Sequence, residues 1–405
     1  MNRAALCYTM FGLAAAAVIG AIWFFGFAPG YVERSMNIVA PGPLPSVSTS
    51  TEQLHRSLEI VDMHADTLMW RRDLLSMSQQ GHVDLARLRA GNVALQIFSS
   101  VAKSPRGLNY EANDGDSDNL IPLAVAQLQP LRTWTSPLQR SLWHAERLDD
   151  ASRRAGGTLR IVRSGDDVAG LMRDRRRGLA VTGTMLSVEG LHDLEGRSEN
   201  LDLLYRAGFR MAGLVHFFDN ELAGSMHGRR KGGLMPLGRR IVRMMEERGM
   251  IVDVAHASHA AVADVLAMAR RPVVSSHGGV QATCKVNRNL TDEEIRGVAR
   301  TGGIVGIGYW DAAVCGTSAE AVAKAIAHVR DLVGIEHVGL GSDFDGAVAT
   351  RWDTAGIVVV TQALIDRGFT EAEIRAVMGG NLLRLLEAGL RPSPSSRGHL
   401  PHPGG

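Results

Sequence analysis

Cysteine is scarce in this 405-residue sequence: Cys7, Cys284 and Cys315 are the only three, and no two form a C-x-x-C pair. A thiolate zinc site and a disulfide framework are therefore excluded as the basis of the fold, although a Cys284–Cys315 bridge is conceivable in an oxidising compartment. Net charge is equally small. The 44 Lys and Arg residues against 42 Asp and Glu leave +2, and without a basic face or a recognition motif no nucleic-acid partner is expected. No short-period repeat suggests a solenoid. One stretch lacks charge altogether, from Arg3 to Glu33.

That stretch is apolar. The run CYTMFGLAAAAVIGAIWFFGF exceeds the roughly 18 to 20 residues that span a bilayer. A signal peptide, the alternative, has an apolar region of about 7 to 15 residues and an A-x-A-like cleavage site, which is not found here. Residues 1–32 therefore read as a single-pass transmembrane anchor. Arg3 precedes it and Arg34 follows, so the positive-inside bias is weak, and the rest of the chain is expected on the periplasmic or extracellular side of a cytoplasmic membrane. Residues 33–54, which include the Pro- and Ser-rich APGPLPSVSTS, read as a flexible linker, and 391–405 as a disordered tail of similar composition. They bracket a domain over 55–390.

Inside the brackets, short apolar runs alternate with stretches of helical periodicity. Eight strands are expected: 58–66, 92–100, 183–190, 209–217, 250–258, 272–279, 302–310 and 337–346. Segments such as LGRRIVRMMEERG and SAEAVAKAIAHVRDLVG place apolar residues three and four apart, and Thr291 with Glu294 and Thr370 with Glu373 have capping-box spacing. Eight strand-helix units predict a closed (β/α)8 barrel of the TIM type. Two loop-like stretches, 104–119 and 223–233, are long enough to line a site.

Six expected strands end in groups that bind metal or move protons: His64 and Asp66, Glu189, His216, His256, His277 and Asp343. In such a barrel the carboxyl ends of all strands converge on one face. Imidazole and carboxylate ligands suit zinc, with manganese, cobalt or iron as alternatives, and the lack of nearby cysteine favours an open, catalytic site. The i, i+2 spacing of His64 and Asp66 puts both on one face, able to grip one ion. Two further histidines can hold a second ion and Glu189 can bridge the two, so that a hydroxide held between them attacks the substrate and Asp343 carries the proton to the leaving amine.

The series VDMHAD, DLARLRAGNVALQIFS, SVEG, GLMPLGRRIVRMMEERGMIVDVAHAS, SSH, NRNLTDEEI, HVGLGSDFDG and GGNLLRLL resembles, in order and over roughly residues 55–388, the membrane (renal) dipeptidase family, peptidase family M19. The resemblance implies zinc-dependent hydrolysis of dipeptides with two Zn2+ per subunit. One zinc would be held by His64 and Asp66 and the other by His256 and His277, with Glu189 bridging. It further implies that His216 polarises the substrate carbonyl, that Arg288 pairs with the dipeptide's free carboxylate, and that Asp343 transfers the proton. The family's aromatic substrate contact after the seventh strand falls on Trp310, with Tyr309 as the alternative. A homodimer is also implied. The competing readings are hydrolysis of another small amide, such as a lactam or N-acyl amino acid, and a catalytically silent, membrane-tethered binding protein. Of the other histidines, His192 reads as a support of the site or a loop residue, and His82, His144, His227, His259, His399 and His402 as surface or loop residues. Asp345 reads as a turn residue supporting Asp343.

Overall fold

Eight parallel strands close on themselves in a computed structural model that describes residues 3–390. They are β1 (Ile60–Ala65), β2 (Val93–Val101), β3 (Thr182–Glu189), β4 (Phe209–Gly213), β5 (Ile251–Asp253), β6 (Val273–Ser275), β7 (Ile304–Ile307) and β8 (Val338–Leu340). Each pairs in parallel with the next, and Leu340 opposite Asp62 joins the last to the first. A short strand, Leu159–Ile161, adds to the start of β3. Every residue of these eight strands is buried, as expected where side chains fill the barrel on one face and meet helices on the other.

The helices that cover the barrel follow the predicted periodicity. Pro236–Arg248, Asp292–Arg300 and Ala319–Val333 bury one apolar stripe each. Both capping boxes form, at Thr291 with Glu294 and at Thr370 with Glu373. Each such N-cap contributes about 1 kcal/mol.

The strands from β4 onward are shorter than the apolar runs that announced them. Pairing stops at Gly213, Asp253, Ser275, Ile307 and Leu340, and the remaining apolar residues form turns over the barrel mouth. A non-glycine residue in left-handed backbone explains two of these stops: His256 has φ 63° and Asp343 has φ 60°. Neither can extend a strand.

At the amino terminus, helix runs from Arg3 to Met36 through a wider turn at Trp23–Phe27. Its Cys7–Met36 portion is long and apolar enough to cross a membrane, with a mean hydropathy of 2.1 over a window in which no residue is buried. The flexible linker expected over 33–54 is corrected. Ala28, Pro29, Glu33 and Asn37 are buried against the barrel domain, Ile38–Val39 pairs in parallel with Ala349–Thr350, and a helix begins at Thr49. Composition pointed to a solvated spacer because its prolines dominate the stretch. The contacts that order it come from Arg72 and Gln80 and from the 347–350 backbone some 310 positions away. The tail expected over 391–405 lies outside the described residues.

Candidate active site

The carboxyl ends of the strands bring the expected residues into one buried cluster. His64 lies in β1 with Asp66 just beyond it, and Glu189 ends β3. His216, His256, His277 and Asp343 follow β4, β5, β6 and β8 by two or three residues. After Glu189 the chain turns at Gly190 with φ 86°, where a side chain would strike His192 and His216. Glycine is required there by both backbone and space.

Glu189 stands at the centre. Its Oε1 lies 2.7 Å from His256 Nε2 and 3.1 Å from His277 Nε2, and its Oε2 lies 3.7 Å from both His64 Nε2 and His216 Nε2. His64 Nε2 is 3.5 Å from Asp66 Oδ1 and 3.9 Å from Asp343 Oδ1. Three sets of potential ligand atoms lie within 4.8 Å of one another: His64, Glu189 and His277; Glu189, His216 and His256; and His64, Asp66 and Asp343. His64 and Glu189 each belong to two sets, so the whole is one centre rather than separate pairs.

The donors fit divalent cations. His64 Nε2 and Asp66 Oδ1 are buried without a hydrogen-bond partner, a costly state for polar atoms that coordination would relieve. Nitrogen and oxygen donors without a thiolate suit zinc or a similar ion.

Further buried groups hold these ligands in place. Asp62 accepts hydrogen bonds from the backbone N–H groups of His64 and Ser342 and from the Gln96 amide. Asp253 accepts from the backbone of Ala255 and Ser276 and from the Ser276 hydroxyl, whose oxygen lies 2.8 Å from His277 Nδ1. Such contacts fix the imidazole orientation and favour one tautomer.

Electrostatics divides the site into roles. Burial pushes the Asp343 carboxyl well above the ordinary carboxylate range, with Asp66 and Glu189 adding to the effect and His64 opposing it. Burial works the same way on Glu189, but His216, His64 and His256 hold it well below that range. Burial keeps the His256 and His277 imidazoles neutral, the form in which histidine binds metal. Two carboxylates of one cluster, each facing His64, are thus driven in opposite directions, a pattern found where one group stays charged and another handles protons.

The family model described as "Membrane dipeptidase (Peptidase family M19)" matches residues 49–391. The chain belongs to the membrane dipeptidase family. Dipeptidase tcpJ of Claviceps purpurea is 30% identical over 337 residues, covering 79% of this chain and 72% of its own. Among solved structures, the probable dipeptidase PvdM from Pseudomonas aeruginosa superposes with a TM-score of 0.69 at 20% identity, covering 84% of this chain and 97% of its own. A metallopeptidase from Rhodobacter sphaeroides, liganded with a phosphinate mimic of the dipeptide L-Ala-D-Ala, gives 0.65 at 23%, covering 82% and 99%. As a membrane dipeptidase relative the chain is a peptide-bond hydrolase, and its family implies a metal cofactor.

Beside the centre lies a cavity of about 380 Å3 reached by Asp66, Glu189, His216, His256, Arg288 and Asp343. Arg288 is 3% exposed and donates to the His277 carbonyl at 3.2 Å. Its guanidinium lies over the Trp310 ring, 5.4 Å from the ring centre. Trp310 Nε1 donates to the Tyr110 hydroxyl at 3.3 Å. Tyr309, the alternative aromatic contact, is corrected: its ring packs between Phe344 and Trp352, away from the cavity. Trp310 does not line the cavity either and meets the site through Arg288 and Tyr110, which do.

Tyr110 lines the cavity and was not singled out in the sequence. Its only signal was membership of the 104–119 loop, in which Ser104, Leu108 and Asn119 also line the cavity. His192 stacks on Phe218 and takes part in none of the ligand sets. His82 and His227 lie in loops, as expected, but are buried there, and His144 is buried within the helix Pro137–Arg154 rather than at the surface or in a loop. Asp345 is buried too, receiving hydrogen bonds from Thr67, Arg72 and the His82 backbone.

Proposed function

We propose that this chain is a zinc-dependent dipeptidase whose centre is held by His64, Asp66, Glu189, His256 and His277, with two ions sharing Glu189. The position of Glu189 carries the reading, because each of its two oxygens faces a different pair of imidazoles. Divalent cations bound there would supply Lewis acidity and lower the pKa of a water molecule toward neutrality.

The chain's own groups do the rest. Arg288, buried and among the described residues without a carboxylate within ion-pair distance, would receive the substrate's carboxyl-terminal carboxylate. With Arg288 at one end and the centre at the other, the site would measure out two residues. His216 Nε2 would donate to the oxygen of the scissile carbonyl. Its Nδ1 faces the Lys103 carbonyl at 3.3 Å, which calls for a proton there, so Nε2 donates only from the imidazolium. Burial, opposed by Glu189, lowers the pKa of this imidazole, so the donating form would be favoured only as negative charge develops on the carbonyl oxygen. Asp343 Oδ1 would take the proton of the attacking water and deliver it to the leaving amine, a transfer suited to a carboxyl whose proton affinity burial has raised.

The same reading places the protein in a cytoplasmic membrane through its amino-terminal helix, with the barrel on the periplasmic or extracellular side. Cys284 and Cys315 are bonded as a disulfide, which supports an oxidising compartment. A dipeptide mimic bound by the Rhodobacter sphaeroides relative supports a substrate of this size. The test is a panel of a dipeptide, the corresponding tripeptide, an N-acyl amino acid and a lactam offered to the purified full-length protein. Preferential cleavage of the dipeptide is expected. Faster turnover of the lactam or the N-acyl amino acid would replace the reading.

A further inference from the structure

The amino-terminal helix does more than lead into the barrel. Val32 and Met36, one helical turn apart, are half-buried against Met69, Trp70, Val101 and Leu120 and line the same cavity as Glu189, Arg288 and Asp343. They are held there firmly. Glu33 Oε1 lies 2.5 Å from Arg72 Nε, and the same guanidinium pairs with Asp345. Asn37 Oδ1 accepts from Ala347 N at 2.9 Å, Ile38 N donates to Val348 O at 3.1 Å, and Ala40 N donates to Thr350 O at 2.7 Å. Arg72 apart, these partners lie in the segment that begins at Asp343, so one stretch of chain both walls the cavity and braces the proton-transfer loop.

Strand order says which part of a substrate meets this wall. Val101 ends β2 and Arg288 follows β6, four strands away in a ring of eight, so the two stand on opposite sides of the mouth. With the carboxylate at Arg288 and the scissile bond over the centre, the amino-terminal residue points toward Val101, Val32 and Met36. We propose that Val32 and Met36 are specificity-determining residues, and that this wall selects dipeptides whose first residue carries a large apolar side chain. The proposal rests on the dipeptidase reading above.

The experiment compares kcat/KM for Leu-Gly and Phe-Gly with that for Gly-Gly, using the full chain in detergent micelles. The wild type is expected to prefer the apolar substrates by about tenfold or more, the range that side-chain burial in an apolar pocket supports. In V32S/M36S that preference should fall by about tenfold, through KM. Tyr31→Ser, on the same helix but 61% exposed, should keep the wild-type ratio. An unchanged ratio in V32S/M36S, or an equal loss for all three dipeptides, overturns the proposal while leaving the dipeptidase reading intact. A wild type that cleaves no dipeptide defeats both. Should V32S/M36S not accumulate as folded protein, Val32→Phe, which fills the wall, is expected to turn the preference toward Gly-Gly, and a retained preference for Phe-Gly overturns the proposal equally.

Discussion

Arg288 lies buried beneath a cavity, shielded from solvent, with its charge facing an aromatic ring and a backbone carbonyl. A guanidinium in that setting gains most from a carboxylate that arrives with the substrate. Arg288→Ala should therefore lower kcat/KM for a free dipeptide by on the order of 10²-fold, the worth of a charge-assisted hydrogen bond, and have much less effect on the same dipeptide amidated at its carboxyl end. Equal losses on both would show a structural role instead. Asp343→Asn should lower kcat by about 10² to 10⁴ without emptying the centre of metal, as measured by metal analysis beside steady-state rates. Asp343 stood out as a candidate in the sequence because a carboxylate closing an apolar run is costly to bury unpaired, whereas Arg288, in a loop, was singled out only by the family resemblance. Tyr110 was not legible, since its loop has no periodicity to say which side chain turns inward. The Tyr309 and Trp310 pair was ambiguous for a related reason: the register of an irregular segment past the end of β7 is set by contacts the sequence does not display.

Elements carry the next level of the account. All eight strands could be located in the sequence, but five of them end early, and two of those, β5 and β8, stop short of His256 and Asp343, which adopt left-handed backbone. The 33–40 segment was misread, since its anchors, Arg72, Asp345 and the 347–350 backbone, are distant in sequence. Arg72→Ala would leave Glu33 and Asp345 buried without their shared partner. A loss of about 3 to 5 kcal/mol in urea unfolding is expected, and a loss under about 1 kcal/mol would contradict the docked segment. His55, in the helix Thr49–Arg56, offers a pH test remote from the site. Its Nε2–H donates to the Gly91 carbonyl and its Nδ1 accepts from the Thr361 hydroxyl, and burial lowers its pKa from 6.5 to about 4. The unfolded chain therefore binds this proton first as pH falls. Stability from this group is present above pH 6.5 and is lost between 6.5 and 4. Relative to His55→Gln, the wild type should lose roughly 2 to 3 kcal/mol between pH 7.5 and 4.5. A pH-independent difference would contradict it.

At the scale of the whole molecule, the described residues combine one barrel mouth, one helix long and apolar enough to cross a membrane, and one disulfide. Cys7 is free and exposed while Cys284 and Cys315 are joined. Alkylation of the denatured, unreduced protein should label Cys7 alone. Reduction should expose the other two and lower stability by about 2 to 4 kcal/mol. Three reactive thiols before reduction would contradict the bond. The barrel itself was legible because alternation of strand and helix leaves few topologies open. The docking of the Glu33–Ala40 stretch onto the segment after Asp343 was not, because it depends on which loops meet once the barrel has closed.

The central proposal is that six strand ends gather at the barrel mouth and that side chains from four of them, β1, β3, β5 and β6, hold two cations around Glu189. Its most direct test is to add zinc stepwise to metal-free, full-length protein while following hydrolysis of a dipeptide. The account predicts negligible activity without metal, and activity that saturates near about two equivalents per chain. Full activity in the metal-free protein, or saturation at one equivalent with no second ion bound, would contradict it.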